Sequence, residues 1–583
     1  MNNKTVLFIS HKETNCGVHD YGLNVFDSIK KSQKLNFIYC ECENVSELDN
    51  YVRKNKPVAI IYNYHQATLK WLNAKIIRKF SIPQIGTIHE ITQQIADKAN
   101  NSFFDFYIAS DPTLLLRNPL VFKTGRPLPV FENKMQSSER ITIGSFGFGT
   151  HGKGFDKIIL AVQQEFDEAI IRFNIPFAEF GDREGKNAKK IATLCKELIT
   201  KPKIELQLTH DFFNKHELLE FLSKNTINLF FYEQMENRGI SSAIDYALAV
   251  NKPIGITFSI MFRHIFSKEI SIENNTIKSL IQNGTGYLVK YHNDWSQNNL
   301  IWDYERIIHY VLANYKKHSS LYISKFIEYS KIYINKFRYN SFQDKKMGLY
   351  EASSAIYEKE IVDIKINTVK ETNHNRILDN ECRENYKSII DAMFQIVPEL
   401  MNRKIPEANI QQAFVLNTVM NFANQISNPK ILCIGAYEDT AAIVLQKIGY
   451  KIEEIDPILN YDLNTFITKP TTLLNSYDLV FSTSVIEHVF DDELFINQIS
   501  QLLKKNGIAI LTCDFNNNYK KGDKIPSVDY RFYTKFDLQK RLLSKIPDCK
   551  LFDIPNWDSL PDFVFENCKY SFASFVIIKN DDK

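Results

Sequence analysis

Four side chains in this sequence carry reactive groups in settings that could use them: His89, Lys153, Glu487 and His488. His89, with Glu90 behind it, ends the apolar run 84–88, where an imidazole can meet a ligand or move a proton. Lys153 lies near the end of Gly144-Ser145-Phe146-Gly147-Phe148-Gly149-Thr150-His151-Gly152-Lys153-Gly154. The bare backbone donors of such a loop, with one lysine, suit a departing diphosphate. Glu487 and His488 follow the β-branched and aromatic run that starts at Tyr477, and a histidine so placed can deprotonate a hydroxyl acceptor. Plainer roles compete at each position. A lone histidine more often completes a core, a glycine-rich loop can be a flexible hairpin, and Glu-His can simply shape a strand-to-helix turn.

A second set of residues could hold ligands without reacting. Gly17, in Cys16-Gly17-Val18-His19-Asp20-Tyr21-Gly22, opens a helical pattern after the first strand and lets the backbone approach an anion, although many such glycines only make the turn. Asn237 and Asp245 flank another helix start at Gly239, about two turns apart on roughly one face. Gly435, with Ala436 beside it, follows the run 430–434, and Asp456 lies 21 positions further on. That spacing is close to the ~20 residues between the glycine turn and the ribose-binding acid of dinucleotide-binding units. No Asp-x-Asp pair stands at a suitable strand end in the first half, so metal-independent chemistry is expected.

Positioning these residues requires strand ends, and the pattern supplies them. Short apolar runs at 6–10, 37–40, 58–62, 84–88 and 104–108 alternate with amphipathic stretches, and the alternation restarts at 141–146, 204–208, 227–231 and 253–256. Strands separated by helices imply parallel sheets covered on both faces. The expectation is α/β, two tandem doubly wound domains followed by a third. The divisions are 1–130, 131–357 with C-terminal helices, a polar linker at 358–380, and 381–583 with a helical extension before its first strand.

At 583 residues the chain is too long for one core. A formal charge of +3 argues against binding nucleic acid by phosphate neutralisation. Nine scattered cysteines make no disulfide framework, and no run approaches the ~18 apolar residues of a membrane helix. A cytoplasmic protein is expected, with room for peripheral contact at the inner face of the membrane.

The first half resembles the family 4 retaining glycosyltransferases of the GT-B fold. The resemblance rests on the Cys16 to Gly22 turn, Thr87-Ile88-His89-Glu90, the loop ending in Lys153-Gly154, the helix start at Gly239, and Asn283-Gly284-Thr285-Gly286-Tyr287-Leu288-Val289. It implies a nucleotide-diphosphate sugar donor, with Asn237 and Asp245 where the family has two glutamates, and Lys153 and His89 near the reacting sugar. Arg238 or Arg263 would replace the arginine that often precedes the family's lysine. The second half resembles class I S-adenosylmethionine-dependent methyltransferases through Gly435, Asp456, Tyr477-Asp478-Leu479-Val480, Val485-Ile486-Glu487-His488-Val489 and the run 503–512. It implies that Gly435 and Ala436 take the cofactor's amino-acid end, Asp456 its ribose and Asp462 its adenine, with Glu487 and His488 at the acceptor. Tyr437 and Asp439 stand where the family has small residues, and 529–533 reads as an acceptor-side lid. A glycan or lipid-linked saccharide is the expected acceptor. The competing reading is a methyltransferase carrying a degenerate, carbohydrate-binding GT-B module.

Overall fold

The structure, a computed structural model, describes residues 4–132, 140–178, 182–235, 238–315, 361–558 and 560–580. It divides into two compact units, Met1–His318 and Ser319–Lys583. Asn237 and most of the helical stretch expected at 301–357 lie outside the described residues, although the helix Gln297–Asn314 covers its start.

The first unit holds two wholly parallel sheets. Strands β1 (Lys4–Ser10), β2 (Leu35–Glu41), β3 (Ala59–Tyr64), β4 (Gln84–Ile88), β5 (Phe106–Ala109) and β6 (Val121–Lys123) lie in the order β2-β1-β3-β4-β5-β6. Strands β7 (Thr142–Phe146), β8 (Ala169–Asn174), β9 (Ile204–Thr209), β10 (Ile227–Phe230) and β11 (Ile254–Ile256) lie in the order β11-β10-β7-β8-β9. Val6, Leu7, Phe8 and Ile9 are all fully buried, as an unbroken apolar run must be in a sheet covered on both faces.

Two strands differ from the sequence reading. β8 has no counterpart in it, because Arg172 interrupts the apolar run. The guanidinium instead lies over Phe221 and donates to Asn225 Oδ1 at 2.9 Å. β5 begins two residues later than expected, since Phe104 belongs to an aromatic cluster with Tyr62, Tyr64 and Phe103 that ends the preceding loop.

The second unit is built on β12 (Ile431–Ile434), β13 (Ile452–Ile455), β14 (Tyr477–Thr483), β15 (Leu503–Phe515), β16 (Cys549–Leu551), β17 (Phe563–Phe565) and β18 (Cys568–Lys579). Their order is β13-β12-β14-β15-β18-β16, with β17 paired to β18; the first four run parallel and β18 antiparallel to β15. The described part of the expected 358–380 linker is stitched to this unit. Asn375 Nδ2 donates to Val576 O and Asp553 Oδ1, Ile377 bridges Ala573, and Leu378 is fully buried. Its polar composition reflects side chains that bond the sheet edge, not solvation.

Candidate active sites

Each sheet reverses its strand order once, and ligands of open parallel sheets bind outside the carboxyl ends of the strands at that point. The reversals fall between β1 and β3, between β7 and β10, and between β12 and β14. Nearly every motif singled out in the sequence lies on a turn at, or one strand from, these three places.

After β7, the loop from Gly147 to Gly154 needs its glycines. Gly147, Gly152 and Gly154 have φ of 147°, 80° and 67°, and a Cβ on Gly154 would meet Phe231 O at 2.0 Å. Gly154 caps the helix Phe155–Glu165 without a side-chain hydrogen bond, so the helix presents backbone donors at its positive end. Lys153 Nζ lies 3.8 Å from the Tyr232 ring centroid, beside these donors in sequence. After β10 the chain returns through Glu233, whose N–H bonds Gly152 O at 2.8 Å.

Across from this loop, His89 ends β4. Its Nε2 pairs with Asn63 Oδ1 at 2.7 Å, its ring sits edge-on to Tyr21, and burial with nearby Arg126 holds its pKa down to about 3. Gly239 packs directly on it: a Cβ there would lie 2.6 Å from His89 O. The structure thus brings His89 and Gly239 together. Gly17 opens the helix Gly17–Ile29 behind a Cys16 cap that makes no side-chain bond, and nothing crowds it.

Asp245 is engaged elsewhere. It is 2% exposed, and its two oxygens take Arg126 Nε at 3.0 Å and Nη2 at 2.6 Å. Arg126 also donates to Ser110 O and Ser242 Oγ, so it ties the β5 end to the helix Ala243–Ala249. Because that helix starts at Ala243, Asn237 and Asp245 do not share a helical face. Arg263 is similarly paired with Asp111, its Nε 2.8 Å from Oδ2, whereas exposed Arg238 reaches Glu90 at 3.3 Å. Sequence reasoning missed Arg126 because it sits in a Pro-containing stretch that reads as a connector.

In the second unit, Gly435 has φ of 82°, and its N–H bonds Ile455 O at 2.9 Å, joining the β12 and β13 ends. A Cβ on it would meet Val485 Cγ2 at 2.4 Å, so the turn after β12 touches the turn that carries Glu487 and His488. Ala436 is 2% exposed, behind that turn. Asp456 stands at the end of β13 and accepts from Ile458 N at 2.7 Å. Asp462 caps the helix Leu463–Ile467, both oxygens on Thr465. Asp439, unexpected beside the cofactor turn, caps the helix Thr440–Lys447 by accepting from Ala442 N at 2.7 Å.

Glu487 is fully buried; Ser484 Oγ donates to its Oε1 at 2.6 Å, and Oε2 has no hydrogen-bond partner. His488 Nδ1 lies 2.9 Å from Asp529 Oδ1, on the segment expected as a lid, which the Tyr530 N–H clips to Glu487 O at 2.9 Å. Asp514, ending β15, is buried close enough to feel both acids: burial, then Glu487 and Asp529, push its pKa well up. Burial raises Glu487 too, against the pull of His488. Asp514 and Asp529 were missed because they lie 27 and 42 positions beyond Glu487, and only the sheet brings them back.

Residues 407–542 match a family model described as a methyltransferase domain. No curated protein matches the chain. Similar solved structures include Anabaena HepE in complex with UDP and glucose, at 11% identity and TM-score 0.38 over 52% of this chain and 99% of that one. Sucrose-phosphate synthase from Thermosynechococcus elongatus gives 11% and 0.39 over 53% and 100%, and a glycosyltransferase from Rickettsia africae 11% and 0.39 over 54% and 100%.

Proposed function

We propose that this transferase, whose second unit carries the matched methyltransferase domain, has two activities. The first unit moves a sugar from a nucleotide-diphosphate donor with retention, and the second moves a methyl group from S-adenosylmethionine. Both act on a glycan or lipid-linked saccharide of a bacterial surface polymer, in the cytoplasm or at the inner face of the membrane. The observation that carries the reading is the coincidence of three switch points with the motif-bearing turns.

In the first unit, Lys153 and the free end of the helix Phe155–Glu165 would stabilise the departing diphosphate, while His89, kept neutral, contacts the sugar. Among the described residues no three His, Cys, Asp or Glu converge as metal ligands, and the protein's own donors fit this task. In the second unit, the residues fit the cofactor: Gly435 keeps a left-handed turn no larger residue could take, and Asp456 stands beside it at the β12–β13 ends. S-adenosylmethionine supplies an electrophilic methyl group. His488, held by Asp529, would take the proton of an acceptor hydroxyl; Glu487 and Asp514 would hold the surrounding charge.

A specific observation favours a second reading, in which the first unit only binds carbohydrate. Asp245, the one carboxylate remaining at the expected donor positions, is wholly engaged by Arg126. Hydrolysis of UDP-glucose by the full chain, lost in Lys153→Ala, supports transfer; absence of turnover with intact methylation supports the binding module. No described helix is long and apolar enough to cross a membrane.

A further inference from the structure

The reversal between β1 and β3 carries a cavity that neither transfer reaction uses. It measures about 250 Å³ and is lined by residues just beyond β1, β2 and β3, among them His11, Lys12, Glu43, Thr68, Lys70 and Trp71. Of the three switch points, this one lies on the sheet opposite the diphosphate loop, and its volume suits one sugar ring better than a nucleotide.

Three ring nitrogens here have no hydrogen-bond partner. His11 is 3% exposed, and neither nitrogen meets hydrogen-bond geometry with a described group, the Glu13 backbone making a looser approach. The Trp71 indole N–H is buried and equally unmatched. Buried donors left unpaired are costly, and groups of this kind beside a cavity point to a ligand that completes them. Burial, with the charges of His19 and His65, holds His11 down to about 4, so at neutral pH its ring offers one donor and one acceptor.

The remaining lining decides the ligand's charge. Lys12 is neutralised by Glu47 at 2.8 Å and Glu43 at 3.6 Å, and the lining sets the acid Glu13 against the cation Lys70, so no net positive charge awaits a phosphate. Cys42 does not serve as a nucleophile, its thiol pushed up to about 12 by burial. An aromatic face, alternating donors and acceptors, and balanced charge are the chemistry of a hydroxyl-rich neutral ring. The cavity also adjoins the cleft, because His89 feels the charge of both His65 and His11.

We infer that the cavity at the ends of β1, β2 and β3 binds a neutral saccharide unit of the acceptor glycan, with Trp71 as platform and His11 and Thr68 as hydrogen-bonding partners. This goes beyond the proposed activities, since a glycan held here serves an active transferase and a presenting module alike.

The test is ¹⁹F NMR of the full chain labelled with 5-fluorotryptophan. The four tryptophans give four lines, and Trp71 is assigned by its loss in Trp71→Phe. Glucose, galactose, N-acetylglucosamine, maltose and lactose are titrated to about 50 mM, well above a roughly millimolar dissociation constant. The expected result is a saturable shift of the Trp71 line with at least one sugar, weakened at least tenfold in both His11→Phe and Thr68→Val while the unliganded spectrum is kept. No shift with any of the five, or a shift with glucose 6-phosphate alone, overturns the inference. UDP-glucose titrated in parallel separates the two proposals: saccharide binding without donor binding keeps this site and removes sugar transfer, and the converse removes this site alone.

Discussion

The charged groups of the two units are organised in opposite ways. In the first, the buried acids at the cleft have cations: Asp245 holds Arg126 and Asp111 holds Arg263, each pair tying elements of one sheet to elements of the other. In the second, Glu487, Asp514 and Asp529 gather around a single histidine. Paired charges fix geometry, whereas carboxylates crowded in low dielectric favour their protonated forms and respond to a neighbour's proton. The contrast assigns the acids of the first unit to architecture, leaving chemistry to Lys153 and backbone donors, and the acids of the second to proton handling.

The largest expected effect comes from breaking the architectural pair. Arg126→Ala leaves Asp245 buried and alone, and should lower the stability of the first unit by about 3–5 kcal/mol. Arg126→Met with Asp245→Leu should recover most of that loss. Guanidinium unfolding followed by circular dichroism checks both; equal loss in the single and double variants would mean that the pair does more than fill space.

Next is methyl transfer. His488→Gln should cut it by roughly 10²–10⁴-fold, the usual contribution of a positioned base, with S-adenosylmethionine affinity unchanged. Asp529→Asn should act in the same direction but less, shifting the pH–rate profile because its partner's proton affinity changes. An unchanged profile would make Asp529 merely structural.

Acidification should then separate the units. His11 and His89 have folded pKa values depressed to about 4 and about 3, so the unfolded chain binds protons first as pH falls below about 6.5. The stability they contribute is present above pH 6.5 and lost progressively down to about pH 3, at about 1.4 kcal/mol for each tenfold difference in proton affinity between the unfolded and folded chain. Asp20, raised to about 6 by burial, works against them by taking up its proton in the folded state. Urea midpoints measured between pH 7 and 4 should fall, and less steeply in His89→Gln. The smallest effect belongs to the exposed Arg238 and Glu90 pair: Arg238→Ala should change stability by less than about 1 kcal/mol.

Much of this architecture is legible in the sequence because parallel strands announce themselves. β1, β4 and β12 are unbroken apolar runs followed by glycine or histidine turns, and the structure places them there. β8 hides because Arg172 finds its partners on a helix distant in sequence. Within the sites, local turns such as Gly152 to Gly154 can be read directly, since positive φ demands glycine. What cannot be read is partnership. Nothing near Asp245 in sequence signals that Arg126 will occupy both its oxygens, and nothing near His488 signals Asp529. Asp462 and Asp439 show the same limit: an acid at a helix start is equally a cap and a ligand contact, and here both cap.

The central claim, two transfer chemistries in one chain, is tested most directly by calorimetric titration of the full-length protein with S-adenosylmethionine, beside Asp456→Ala. The account predicts one site per chain with micromolar affinity, about 8 kcal/mol at 1 μM, weakened at least tenfold in the variant. No binding by the folded protein, or equal binding by Asp456→Ala, would contradict it.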